Sequence, residues 1–246
     1  MSKYKLIRHY HNENCDSSNG TILIVAAHPD DEILGAGGTI AILTQSGYRV
    51  CTLILGEGKT SRGNNVTTLE IDTLKSEMEK ANRLLGVVDC YTADLPDNRF
   101  DSVDILDIVQ LIEELKEQIK PVTIFTHHFG DMNIDHQITY KAVLTATRPM
   151  QYECVKNIYT FEIPSSTEWN AFTRETIFTP NVFIDISSTI DTKISAMSKY
   201  VSELREYPHP RSLQHIKELA KVNGTKVGLN YCENFTLIRS IGKELL

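Results

Sequence analysis

The sequence predicts an α/β protein: one domain of three layers, with helices on both faces of a mostly parallel sheet. Three observations carry this reading. From residue 21 to about residue 145, short apolar runs alternate with helix-periodic segments, the pattern of strand–helix units whose strands lie parallel. The first run, TILIVAA, is apolar throughout rather than alternating, as expected of a strand covered on both faces. At 246 residues, with 41% hydrophobic and 23% charged side chains, the chain is long enough to bury a core without staples.

The elements follow in order. The first twenty residues, MSKYKLIRHYHNENCDSSNG, are polar and rich in Asn and Ser. They are expected to form a loose arm (1–20) before a domain spanning 21–246, with His9 and His11 solvated rather than binding metal. TILIVAAH opens the sheet. A helical pattern follows over 34–45, then the strand RVCTLILG and a helix over 68–85 with Leu69, Leu74, Met78, Ala81 and Leu85 as its apolar positions. DCYTADL is a short strand, 103–119 a strongly periodic helix, PVTIFTHH another buried strand, and 135–147 a helix. The last third is less regular. KNIYTFEIP and NVFIDIS read as strands, 188–204 and 212–221 as helices, and CENFTLIRS as a final strand. No linker, low-complexity tract or repeat divides the chain.

The composition also excludes partners. A formal charge of −7 speaks against nonspecific binding to nucleic acid or anionic lipid. No run approaches the roughly 20 apolar residues of a membrane helix, and the N-terminus has no signal-peptide core. The five scattered cysteines form no CxxC, which points to a reduced, cytoplasmic protein and away from a thiolate zinc site.

The chemistry is concentrated in two stretches at strand ends, where open α/β sheets bind ligands. The first is AHPDDE, in which Asp30, Asp31 and Glu32 follow one another directly. Like charges so close beside a core repel strongly, and a divalent cation relieves that repulsion. The acids also suit the first turn of a helix, where the macrodipole favours negative charge. His28 and Asp31, three apart on a tight turn, can face one point. The second stretch, HHFGDMNIDHQ, offers His127, His128, Asp131, Asn133, Asp135 and His136. Two imidazoles and a carboxylate with positions left open make a catalytic zinc set. Gly35-x-Gly37 does not complete a dinucleotide fingerprint, because Ile40 stands where its third glycine belongs; these glycines are read as helix–sheet packing.

AAHPDDE, followed about a hundred residues later by NIDH, resembles the PIG-L/LmbE-type zinc-dependent deacetylases over nearly the whole chain. The resemblance implies a Rossmann-like fold and removal of an acyl group from an N-acetylated amino sugar or sugar conjugate, as in surface-polysaccharide pathways. It implies that His28, Asp31 and His136 hold one zinc, or another divalent ion, per chain, and that Asp30 is general base and then acid. Polar loops after the second and third strands are implied to hold substrate: GKTSRG with Arg62, and LPDNRFD with Asp97 and Arg99. Many relatives carry a histidine where this chain has Asn133, whose NH2 can donate to an oxyanion but carries no charge. Asp131 and Asp135 are placed to orient ligands, or to cap a helix; Glu32 is the next candidate base. In LREYPHPRS the prolines punctuate helices, and His209 and Arg211 are candidate substrate contacts, Arg211 being suited to a phosphate or carboxylate. Trp169 is a candidate sugar-stacking wall. A non-sugar amide hydrolase and a non-catalytic binding protein on this scaffold are the competing readings, and a homo-oligomer is compatible with either.

Overall fold

The computed structural model describes residues 3–12, 19–58, 67–171 and 173–242. In chain order the elements are β1 (Leu6–His11), β2 (Thr21–Ala26), α1 (Asp31–Gln45), β3 (Arg49–Gly56), α2 (Thr68–Leu84), β4 (Asp89–Leu95), α3 (Ile105–Ile119), β5 (Thr123–His127), α4 (Ile134–Ala146), β6 (Asn157–Phe161), β7 (Val182–Asp185), α5 (Ile190–Met197), α6 (Leu213–Thr225) and β8 (Cys232–Ser240). They form an eight-stranded sheet in the order β1-β4-β3-β2-β5-β6-β8-β7. The five central strands, β4 to β6 in that order, are parallel, and the outer three are antiparallel to their neighbours.

The period-2 geometry of β2 sorts its side chains between two cores. Ile22, Ile24 and Ala26 pack with residues of α1, α2, α5 and α6. Leu23, Val25 and Ala27 face α3 and α4. Burial of each such Leu, Ile or Val contributes about 1.5–3 kcal/mol, so β2 has a strong reason to be apolar throughout. β2 pairs with β3 on one side and β5 on the other, and the helices that follow β2 and β5 leave on opposite faces. That reversal of strand order opens a crevice at the carboxyl ends of β2 and β5.

The structure departs from expectation in three places. The N-terminal arm is not loose over Leu6–His11, which pairs antiparallel with β4 as β1. Asp89, fully buried, attracts it: His11 Nδ1 lies 2.8 Å and Arg8 Nη1 3.6 Å from its carboxylate. Helix α1 begins at Asp31, three residues earlier than the apolar pattern indicates. Helix α5 ends at Met197 instead of running to 204, because the chain turns there to bury Tyr200. Gly35 packs on the sheet as expected, whereas Gly37 meets Lys193 of α5. A Cβ on Gly35 would stand 2.4 Å from the Phe161 ring, and one on Gly38 2.8 Å from Ile186.

Close packing brings a charged pair onto α1. Glu233 of β8 accepts the Gly38 and Thr39 N–H groups at 2.8 and 2.7 Å, while Lys193 Nζ of α5 donates to Leu34 O at 2.8 Å and to Glu233 at 2.6 Å. Among the described residues no helix is long and apolar enough to cross a membrane.

Candidate active site

The AHPDDE turn joins β2 to α1. Asp30 sits in the left-handed region at φ 102°, a conformation that costs about 1–3 kcal/mol in a non-glycine residue and recurs at functional sites. Its carbonyl still accepts from Ile33 and Leu34 N–H, so the helix starts directly behind it. Glu32 anchors the turn from inside: its carboxylate accepts Tyr200 OH at 2.5 Å, Asn82 Nδ2 at 2.9 Å and the Asp30 N–H at 3.1 Å. Burial pushes Glu32 up to about 7 against these donors. With its oxygens so occupied, Glu32 holds the turn in place.

His28, Asp31 and His136 converge. Asp31 Oδ2 lies 3.4 Å from His28 Nδ1 and 3.3 Å from His136 Nε2. Two ligands on one tetrahedral ion, each about 2.1 Å from it, stand about 3.4 Å apart, so the spacing fits a metal. Asp31 Oδ1 and His136 Nε2 are also buried without a hydrogen-bond partner. The far nitrogens face carboxylates. His28 Nε2 lies 2.9 Å from Asp135 and 3.2 Å from Asp97, and His136 Nδ1 lies 3.1 Å from Asp131. Carboxylates behind ligating imidazoles fix ring orientation and tautomer. Asp135 is itself held by the Phe100 N–H at 2.9 Å. Asp131 accepts from Ser166 Oγ, from Thr167 Oγ1 at 2.6 Å and from the Asn133 N–H at 2.8 Å.

This density of acids dominates the electrostatics. Burial opposes charge on His28, yet Asp135, Asp31 and Asp97 outweigh it and push the imidazolium up to about 10. His136 rises to about 9 in the same way, burial being outweighed by Asp31 and Asp131. Burial would raise Asp31, but His136 and His28 hold it well below the usual carboxylate range. Asp30 goes the other way: burial keeps it well above that range although Arg211 pulls it down.

Of the other two histidines of the second stretch, His127 lies beside the cluster, its Nε2 3.5 Å from Asp31 Oδ2 and its ring stacked on His136, and His128 lies apart from it. His127 Nε2 accepts the Ala27 N–H at 2.8 Å, clamping β5 to the end of β2, and burial keeps its ring neutral. His128 Nε2 bonds Thr176 O at 2.9 Å.

A polar cleft of about 100 Å³ opens over the cluster, lined by His28, Asp30, Asp97, Asn98, Asn133, Glu203 and Arg211 together with Pro29 and Gly58. Asn133 caps α4, its Oδ1 accepting the Asp135 N–H at 2.8 Å, while its Nδ2 donates to Asn98 Oδ1 at 3.0 Å. Arg211 Nη1 reaches Asp30 Oδ2 at 3.3 Å. His209 is not among the residues lining the cleft; it supports Arg211, accepting the Arg211 N–H on Nδ1 at 3.0 Å, and meets Trp169 edge to face. Arg99 and Trp169 are exposed, and Arg62 lies outside the described residues. Glu203, buried at the cleft wall, was not foreseen from sequence, since a single acid in a turn carries no signal of its own.

Comparison with known proteins supplies the context. The sequence model of the PIG-L family, described as GlcNAc-PI de-N-acetylase, matches residues 23–147. A probable N-acetyl-alpha-D-glucosaminyl L-malate deacetylase 2 of Bacillus cereus is 27% identical over 191 residues, 74% of this chain and 83% of that one. A 4-oxalmesaconate hydratase of Pseudomonas putida is 25% identical over 204 residues, covering 75% and 74%. In fold, the chain resembles the N,N'-diacetylchitobiose deacetylase of Pyrococcus horikoshii with a TM-score of 0.71 at 19% identity, over 92% of this chain and 86% of that one.

Proposed function

The chain belongs to the PIG-L family, and from that premise we propose that it is a zinc-dependent hydrolase that removes an acetyl group from an N-acetylated amino sugar or sugar conjugate. The observation that carries the reading is the convergence of His28, Asp31 and His136 beside the buried carboxylate of Asp30. His28 Nδ1, Asp31 Oδ2 and His136 Nε2 would hold the ion, with Asp135 and Asp131 orienting the two rings from behind. When bound, zinc supplies Lewis acidity and makes water a nucleophile near neutral pH.

The chain's own groups do the rest. Asp30, raised above the ordinary carboxylate range by burial, is suited to take a proton near neutral pH. It accepts one from the attacking water as the hydroxyl adds to the acetamide carbonyl carbon. Asn133, on the cleft wall, donates to the carbonyl oxygen as negative charge gathers there; one such donor is worth about 3 kcal/mol in the transition state. Asp30 then returns the proton to the nitrogen as the C–N bond breaks, releasing acetate and the free amine. Asp97, which lines the cleft, and Arg62 are proposed to contact the sugar. The described cysteines are free thiols, which supports a reducing, cytoplasmic setting.

The test is acetate release from free, 1-phosphorylated, nucleotide-linked and lipid-linked GlcNAc, with zinc-loaded and chelator-stripped protein. Release from at least one substrate, abolished by the chelator and restored by zinc, is expected. No release from any of the four by zinc-loaded protein would overturn the sugar assignment.

A further inference from the structure

We propose that Arg211 is a positioning residue that holds the Asp30 carboxylate in its working orientation, rather than a contact for the substrate. This rests on the deacetylase reading of the site. The side chain of Asp30 makes one polar contact among the described residues, the 3.3 Å approach of Arg211 Nη1 to Oδ2. Asp30 is 2% exposed, so no bulk water substitutes for that contact. An aspartate with a single restraint can still swing about its two side-chain torsions, and the restraint is only as firm as the group supplying it.

Arg211 is itself fixed. Its Nε donates to Ser165 Oγ at 2.8 Å, Nη1 also lies 4.0 Å from Glu203 Oε2, and its backbone N–H is taken by His209. Ser165 stands in the left-handed region at φ 69°, a second strained residue aimed at the same guanidinium. Two of the three guanidinium nitrogens are therefore engaged with protein groups. A planar fork pinned in this way is rigid, whereas an arginine kept for a phosphate or carboxylate would leave a paired edge open to the cleft. Arg211 takes Oδ2 and leaves Oδ1 to accept and return the proton. A base displaced by about 1 Å can lose on the order of 100-fold in rate.

The experiment compares Arg211→Met, Arg211→Lys, Asp30→Asn and the double variant Asp30→Asn/Arg211→Met. Arg211→Met should lower kcat about 100-fold with KM changed less than about threefold and zinc content unchanged; Arg211→Lys should recover part of the loss. In the Asp30→Asn background the Arg211→Met change should cost nothing further, because the group it positions is gone. A raised KM with kcat intact, or a full additional loss in that background, would overturn the proposal. Crystal structures give a readout independent of turnover. The Asp30 carboxylate should leave its place in Arg211→Met, and its retention there would also overturn the proposal. If Arg211→Met does not fold, Arg211→Lys is judged by the same measurements. Wild-type protein that releases no acetate defeats the deacetylase reading, while the position of Asp30 still decides the role of Arg211.

Discussion

Each histidine of the cluster has its two nitrogens turned to different neighbours, one to Asp31 and one to a carboxylate behind it. In metal-free protein that surplus of acids keeps both rings protonated, His28 up to about 10 and His136 to about 9. Folded values above the ordinary 6.5 mean that the two protons add stability that is fully present below pH 6.5. It is lost as pH rises through 9 and 10. A metal ion must then displace one proton from each ring. Calorimetry at pH 7 in buffers of different ionisation enthalpy should show about two protons released per zinc bound; a value near zero would mean that the rings are already neutral. Asn133 separates two duties within one side chain, the helix cap through Oδ1 and a donor through Nδ2. Asn133→Ser keeps a cap and Asn133→Ala loses it, at about 1 kcal/mol. Both should lower kcat with little change in KM if the amide serves the transition state. Full activity in Asn133→Ala with only a lowered Tm would leave the cap as the residue's sole role.

At the scale of elements, α1 is the helix on which the site depends, and its start was poorly legible. The acids of AHPDDE read either as ligands or as first-turn residues, and the two placements are compatible, since Asp31 opens α1 and also faces the histidines. What periodicity cannot register is a residue such as Asp30, whose positive φ begins a helix without an apolar signal. The central strands were legible because burial on both faces demands continuous apolar runs, as in TILIVAAH and RVCTLILG at β2 and β3; DCYTADL and CENFTLIRS also coincide with β4 and the outer strand β8. β1 was not, since its partner strand lies far along the chain, with His11 meeting Asp89 78 residues away. Arg62, Asp97, Arg99, His209 and Arg211 were named from loops, where sequence gives residue type without direction; the structure takes Asp97 to His28 and Arg211 to Asp30. The charged pair on α1 yields its own prediction. Lys193→Met leaves Glu233 buried and uncompensated, and should destabilise the fold by about 3–5 kcal/mol in denaturant titrations. A loss below about 1 kcal/mol would show that the two backbone N–H groups alone satisfy Glu233.

Taken whole, the molecule is a parallel α/β core whose site is closed by parts of the chain far from it in sequence. The family match ends at residue 147, yet Tyr200 and Arg211 reach the acid-rich turn and Glu203 lines the cleft over it, and β8 lies between β6 and β7. A fragment ending at residue 150 should therefore bind zinc more weakly than the full chain and show no cooperative unfolding; a fragment with full-chain affinity would contradict this. The relative in Pseudomonas putida bears the name of a hydratase, a reminder that a scaffold does not dictate its reaction and that acetate must be measured directly. The pairing of Glu233 with the Gly38 and Thr39 N–H groups spans about 195 residues, and this separation sets a timetable. A ribosome adding roughly 5–20 residues per second needs roughly 10–40 seconds to pass from the acid-rich turn to Arg211. Asn82 follows early, but Tyr200 and Arg211 are added long after the turn they hold. Through that interval the nascent polypeptide holds the acid-rich turn without Tyr200 and Arg211, so the complete site can form only after both have been made.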